Sequence, residues 1–185
     1  MLIGLVGKAR SGKDTVADHL VKNYNFRKIA FSDKLKKVCS ELLDLTPEQC
    51  YGDLKEVVDQ RYGKTPRWIL QHIGADVFRA IRPDIWADIA IKRYRELAPK
   101  CSGVVISDIR FPNELEAVQR AEGIIWRICR PDHDGASGGI DAHSSEASMD
   151  DLLPDCMMEA RSGEVQNLYL QADQEMRKIL SRSER

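Results

Sequence analysis

The run Gly7-Lys8-Ala9-Arg10-Ser11-Gly12-Lys13 fits the pattern G-x-x-x-x-G-K. It stands between an apolar run (residues 2–6) and a stretch in which Val16, Ala17, Leu20 and Val21 recur at helical spacing. Glycines let successive backbone N–H groups turn inward around phosphate oxygens, and the helix that follows adds the positive end of its dipole. Lys13 is then placed to reach the β- and γ-phosphates of a nucleoside triphosphate. Gly7, Arg10, Ser11, Gly12 and Lys13 are therefore the candidate triphosphate-binding residues, against the alternative of a Gly-rich turn that only caps a helix. One position departs from the pattern. Asp14 stands where Ser or Thr usually holds Mg²⁺, with Thr15 next, so either side chain is a candidate for the metal, directly or through water.

A second carboxylate normally orients Mg²⁺ and its waters in such sites, and Asp108 is placed for it, at the end of the apolar run Gly103-Val104-Val105-Ile106-Ser107. Its alternative role is to cap the helix that follows, for which Asn113 is better placed. Arg110 lies two residues on, at the carboxyl end of the expected sheet, where open α/β sheets bind their ligands. Two classes of chemistry use a triphosphate in this way, a small-molecule kinase and a nucleotide-gated switch or motor. The N-K-x-D motif by which a guanine switch reads its base is missing from the sequence.

The elements that must hold these residues are legible as alternating patterns. Strands are predicted over residues 2–6, 27–31, 103–107, 124–129 and 155–159, and helices over about 32–43, from 46–47 onward, 65–81, 85–97, 112–123 and a last one from about 165. In that last helix Val165, Leu168, Tyr169, Ala172, Met176, Ile179 and Leu180 form an apolar stripe. The alternation predicts an α/β fold with a parallel sheet.

The chain has 185 residues, 43% of them hydrophobic and 31% charged, which suits one globular domain with a real core. No apolar run approaches the roughly 20 residues of a membrane span, and the start turns polar after six residues, so a soluble intracellular protein is expected. Five cysteines without a CxxC pair predict buried free thiols rather than disulfides or a metal site. A net charge of -1 argues against a basic nucleic-acid binder. That total hides a gradient: residues 1–40 carry nine Lys+Arg against three Asp+Glu, and residues 101–185 carry nine against sixteen. The positive end contains the phosphate loop and Lys34, Lys36 and Lys37, suited to small phosphates held at one place.

About seventy residues of predicted helix, roughly 32–100, separate the second strand from the third. That is too many for a simple crossover and right for an inserted acceptor-binding part. On a wheel of about 100° per residue, Ile69, Leu70, Ile73, Val77, Ala80 and Ile81 share one face, the expected core side. Arg67, Gln71, Gly74, Phe78 and Arg79 cluster elsewhere. Two guanidinia, an amide, an aromatic plane and a glycine suit phosphate plus base recognition. A solvated amphipathic face is the plainer alternative. Residues 130–146, rich in Gly, Asp and Ser, predict a mobile loop or lid.

Four segments carry a resemblance: Gly7–Thr15 (GKARSGKDT), Thr65–Arg79 (TPRWILQHIGADVFR) with Trp86, Ser107–Glu114 (SDIRFPNE) and His143–Glu146 (HSSE). Together they resemble the bacteriophage deoxynucleoside monophosphate kinases, of the P-loop nucleotide-kinase group, from Met1 to about Leu180. The resemblance implies a P-loop NTPase fold of nucleoside monophosphate kinase type, with a core (1–31, 101–129, 151–185), a helical monophosphate-binding part (about 32–100) and a lid (about 130–150). It implies phosphoryl transfer from ATP with Mg²⁺ to a deoxynucleoside 5′-monophosphate, in the cytoplasm, of the host if phage-encoded. Small nucleotides are then the partners, without stable nucleic-acid binding or a membrane, and a homodimer is allowed.

By the same resemblance Arg10, Gly12, Lys13, Asp14 and Thr15 serve the donor phosphates and metal. Lys36, Arg67, Gln71, Arg79 and Trp86 serve the acceptor, as do Arg110 and Arg130, and Lys13, Arg10, Arg110 and Asp108 are the catalytic set. Similar kinases open the last helix with Asn-x-Gly-Thr/Ser near the donor adenine; Arg161-Ser162-Gly163-Glu164 stands there instead, leaving Arg161 to stack on a base. His143 is read either as a phosphate contact from the lid or as a helix cap. The alternatives are a kinase for another phosphorylated metabolite, of phosphomevalonate or dephospho-coenzyme A type, and a nucleotide-hydrolysing switch.

Overall fold

The computed structural model describes residues 1–132 and 153–183. Five strands, β1 (Leu2–Val6), β2 (Phe26–Ile29), β3 (Gly103–Ile106), β4 (Ile124–Cys129) and β5 (Cys156–Glu159), form one sheet in the order β2-β3-β1-β4-β5. Every pairing is parallel, with Ile3 opposite both Val105 and Ile124. Central β1 and β3 are buried along their whole length, as strands covered by helices on both faces must be. A parallel sheet brings all its carboxyl ends to one edge, so Gly7, Ser107, Arg130 and Ala160 follow their strands on the same side.

Helix α1 (Lys13–Tyr24) buries Val16, Ala17 and Leu20 against this sheet. The helices of the second strand's crossover are α2 (Asp33–Leu43), α3 (Pro47–Tyr51), α4 (Pro66–Gln71), α5 (Arg79–Ile81) and α6 (Ile85–Leu97), followed after β3 by α7 (Pro112–Arg120) and after β5 by α8 (Val165–Ser183). From α8, Leu168, Ala172 and Met176 enter the core, whereas Val165 and Leu180 of the expected stripe are exposed at its two ends. Strand β2 spans Phe26–Ile29 against the expected 27–31. The Phe26 ring fills the space over Gly103, where a Cβ would meet its Cζ at 2.3 Å. The five cysteines are free, Cys39 and Cys50 buried and the others half-buried.

The chain divides into two compact units, Met1–Ala30 with Ile91–Arg185, and Phe31–Ala90. In the first, His19 of α1 is stacked on Tyr169 of α8, and Asp173 accepts hydrogen bonds from His19 Nε2 at 2.7 Å and the Tyr24 hydroxyl at 2.8 Å. Partial burial raises the Asp173 carboxyl, but these two donors outweigh it and hold it below the ordinary carboxylate range.

The second unit is organised around Asp59, a buried carboxylate that accepts from Gln49 Nε2 (2.8 Å), from the Arg61 backbone N–H (3.0 Å) and from both Nε and Nη2 of the Arg61 fork. Arg61 reaches on to the Asp44 carbonyl, and the Tyr62 hydroxyl to the Leu43 carbonyl, so one carboxylate ties the 59–64 turn to the end of α2. The Arg61 guanidinium holds this carboxyl well below its usual range. A depressed value means stability that is present above the unfolded pKa of about 3.9 and lost as pH falls toward the folded value. Asp59→Asn is expected to lower the melting temperature at pH 7, with the gap to wild type narrowing below about pH 4; an equal gap at pH 3 in thermal melts removes the charge from the explanation. No helix among the described residues is long and apolar enough to cross a membrane.

Candidate functional site

The loop after β1 is built by backbone conformations that its sequence permits. Gly7 has φ 146° and Gly12 φ 104°, and Arg10 takes the left-handed region at φ 61°. At Gly7 there is no room for a side chain in any case, since a Cβ would lie 2.3 Å from the Ile128 carbonyl oxygen of β4. The Ser11 N–H donates to the Lys8 carbonyl at 3.2 Å and closes the turn. Lys13 folds its ammonium back over the loop, donating to the carbonyls of Gly7 and Lys8, each at 2.6 Å. Helix α1 then starts behind Gly12, which offers no side-chain cap, so the first-turn N–H groups are left to an anion. Ser11 is buried, and its Oγ has no hydrogen-bond partner among the described residues.

Around this cradle the first unit brings several of the expected residues. Arg130, just beyond β4, donates from Nη1 to the Arg10 carbonyl at 2.9 Å, so it is tied to the phosphate loop itself. Asp132 accepts from the Ser162 N–H at 3.0 Å and Glu164 from the Arg161 N–H at 2.9 Å, which fixes the turn carrying the exposed Arg161 in front of α8. Beyond β3, Ser107 is buried, Asp108 half-buried and Arg110 exposed. The capping alternative for Asp108 and Asn113 does not hold. Helix α7 opens instead at Pro112, and the buried Glu114 carboxylate reaches back to accept from the N–H groups of Arg110 (2.8 Å) and Phe111 (3.2 Å).

Asp14 is not a lone carboxylate. Lys28 of β2 places its ammonium 2.8 Å from Asp14 Oδ1 and 2.9 Å from Asp18 Oδ1, and the Ser107 hydroxyl also donates to Asp14. Partial desolvation raises the Asp14 carboxyl, but Lys28, Ser107 and Lys13 together pull it below its ordinary range. Neither Lys28 nor Ser107 is legible as a site residue from motif spacing, because strand-to-helix contact alone joins them. The groups beside the cradle fit Mg²⁺: Asp14, the half-buried Thr15 and Asp108 offer only oxygen ligands, the hard donors it prefers, and the cradle leaves first-turn N–H groups for the phosphates that complete its shell. No group of three or more His, Cys, Asp or Glu that could hold a metal occurs among the described residues.

In the helical unit, α4 does not continue as one α-helix. Residues His72–Phe78 are π-helical before α5, with i→i+5 spacing that unwinds the regular wheel. The expected core face therefore breaks up: Ile69 and Leu70 are buried, while Val77, Ala80 and Ile81 are exposed. Gly74, expected on the ligand side, is packed on Leu35, and a Cβ there would lie 2.6 Å from its Cδ2.

Trp86, expected with the acceptor, is buried. Its indole N–H donates to the Gly74 carbonyl at 2.9 Å, and its ring meets Phe78 edge-on at 5.3 Å. Arg67 is ion-paired to Glu56, Gln71 is exposed, and Arg79 donates to the Pro83 carbonyl at 3.4 Å. Lys36 lies over the Tyr51 ring, 4.2 Å from its centre, along an open groove between α2 and α3. His143 and most of the expected lid lie outside the described residues.

No family model matches the chain. A mimivirus protein, "Putative deoxynucleotide monophosphate kinase" of Acanthamoeba polyphaga mimivirus, is 38% identical to it over 162 residues, covering 80% of this chain and 82% of that protein. The chain belongs to the deoxynucleotide monophosphate kinase-like family. Solved structures share its fold at lower identity. Dephospho-CoA kinase from Campylobacter jejuni superposes with a TM-score of 0.58 at 14% identity, covering 96% of each chain. Shikimate kinase from Acinetobacter baumannii, in complex with shikimate, gives 0.50 at 19% identity, covering 98% of this chain and 93% of that one. The deoxynucleotide monophosphate kinase-like chain thus has the fold of P-loop kinases, and the family makes it a kinase with a nucleotide-binding phosphate loop.

Proposed function

We propose that the protein transfers the γ-phosphoryl group of ATP to a deoxynucleoside 5′-monophosphate, giving the diphosphate and ADP. The observation that carries the reading is the phosphate loop folded as a cradle, with Lys13 over it, in a chain 38% identical to a protein named for this activity. Gly7, Arg10, Ser11, Gly12 and Lys13 hold the donor phosphates, and Asp14, Thr15 and Asp108 hold Mg²⁺, which when bound neutralises charge on the β- and γ-phosphates. Arg161 faces the donor base. The helical unit takes the acceptor, through Lys36, Arg67, Gln71 and Arg79, and Arg110 and Arg130 also serve the acceptor.

No catalytic base is required, because the acceptor is a phosphate oxygen already largely ionised at neutral pH, its second pKa being about 6. The chemical problem is one of bringing two polyanions together and stabilising the charge spread over the transferred group, which calls for cations and backbone N–H groups. The reaction is placed in the cytoplasm. An ADP-release assay with a panel of deoxynucleoside monophosphates, dephospho-coenzyme A and no acceptor tests the reading. Release that depends on a deoxynucleoside monophosphate is expected; release indifferent to every acceptor points to a hydrolysing switch and removes it.

A further inference from the structure

In the usual phosphate-loop pattern the residue after the lysine is a neutral Ser or Thr. A carboxylate at the same place in the first turn of α1 sets a negative charge beside a triphosphate, and Coulomb repulsion there is little screened at short range. The structure shows what compensates it. Lys28, opposite Val105 in the β2–β3 register, extends from the sheet to the start of α1 and lies 2.8 Å from Asp14 Oδ1. Of the three charged groups joined here the ammonium is the sheltered one: the Lys28 side chain is 30% exposed, against 75% for Asp14 and 68% for Asp18. Asp18, which Lys28 also meets, lies one turn farther along α1, so the charge that Lys28 cancels next to the loop is that of Asp14.

We propose that Lys28 is a positioning residue of the phosphate site: it fixes the Asp14 carboxylate against the first turn of α1 and cancels its charge, so that the Asp14–Lys28 pair takes the place of the neutral hydroxyl of the usual pattern. The proposal rests on reading Gly7–Lys13 as a triphosphate cradle. It has two consequences. Without Lys28 the cradle repels a metal-free triphosphate, and the released carboxylate attracts divalent cations in the absence of nucleotide.

The test measures ATP binding in excess EDTA, and Mn²⁺ binding to the nucleotide-free full chain by electron paramagnetic resonance, for wild type, Lys28→Met, Asp14→Asn and the double variant. Lys28→Met is expected to weaken metal-free ATP binding on the order of tenfold and to tighten Mn²⁺ binding, with Lys28→Arg restoring most of both. In the Asp14→Asn background Lys28→Met is expected to have little effect on metal-free ATP binding. Asp14→Asn alone, which needs no change at Lys28 to be folded, is expected to bind metal-free ATP several-fold more tightly than wild type. Equal loss from Lys28→Met in both backgrounds, or weaker binding by Asp14→Asn, overturns the proposal and leaves Lys28 a role in the fold alone. Failure of the wild type to bind ATP at all, with or without Mg²⁺, instead overturns the cradle reading beneath it.

Discussion

Lys13→Ala is expected to lower turnover by about two to three orders of magnitude while leaving a folded protein. The side chain closes the cradle from above, its ammonium held by the Gly7 and Lys8 carbonyls, and no other described cation makes that pair of contacts. A fixed donor pointed at developing charge needs no rearrangement during reaction, which is why the loss of one such group costs so much rate. The fold does not depend on it to the same degree. Gly7 and Gly12 keep their backbone conformations, the Ser11 N–H still meets the Lys8 carbonyl, and Val16, Ala17 and Leu20 still anchor α1 in the core. Circular dichroism and a melting curve establish folding, and ADP release measures turnover. Near-normal turnover in a folded Lys13→Ala protein removes the central assignment. Lys13→Arg is expected to recover little, since a planar fork does not reproduce the contacts of a compact ammonium.

What the sequence made legible follows from how local each feature is. Strands β1, β3 and β4 announce themselves as apolar runs because both faces of a parallel sheet are buried, and β4 begins and ends where its apolar run does. The phosphate loop is legible because its glycines are required by backbone geometry, at Gly7 by the Ile128 carbonyl as well. The helical unit was harder. A wheel of 3.6 residues per turn presumes an uninterrupted α-helix, and the π-helical stretch His72–Phe78 breaks that presumption in the middle of the segment. It moves Val77 to the surface and puts Gly74 and Trp86 together in the interior. Pairings across the fold left no sequence signal at all. Lys28 meets Asp14 only because β2 lies beneath α1; Glu114, by contrast, caps α7 through a local contact with the N–H groups three and four residues before it, as a Glu at the third helical position does. Charge arithmetic, in turn, located positive residues without showing how many are already spoken for by carboxylates.

That last point sets the expectation for Arg67. Arg67→Ala is expected to raise the acceptor Michaelis constant by about ten- to a hundredfold with a smaller change in turnover, the range given by one charge-assisted hydrogen-bonding group. In the structure its guanidinium is paired with the Glu56 carboxylate, presented by the short 3₁₀ turn Asp53–Glu56. An acceptor phosphate must therefore compete with Glu56 for the fork. A phosphate carries more charge than a carboxylate and engages a guanidinium bidentately, and the exposed pair is worth little by itself, so the exchange runs toward the phosphate. Glu56→Gln is accordingly expected to lower the acceptor Michaelis constant by a few-fold, without touching the donor. Arg67→Lys is expected to fall between wild type and Arg67→Ala, because an ammonium supplies the charge but not the paired donors. Acceptor titrations at saturating ATP separate these cases. If Arg67→Ala leaves the acceptor dependence where it was, the guanidinium belongs to its pair with Glu56 and to the packing of the helical unit, and the acceptor phosphate must be held by Lys36 or Arg79 instead.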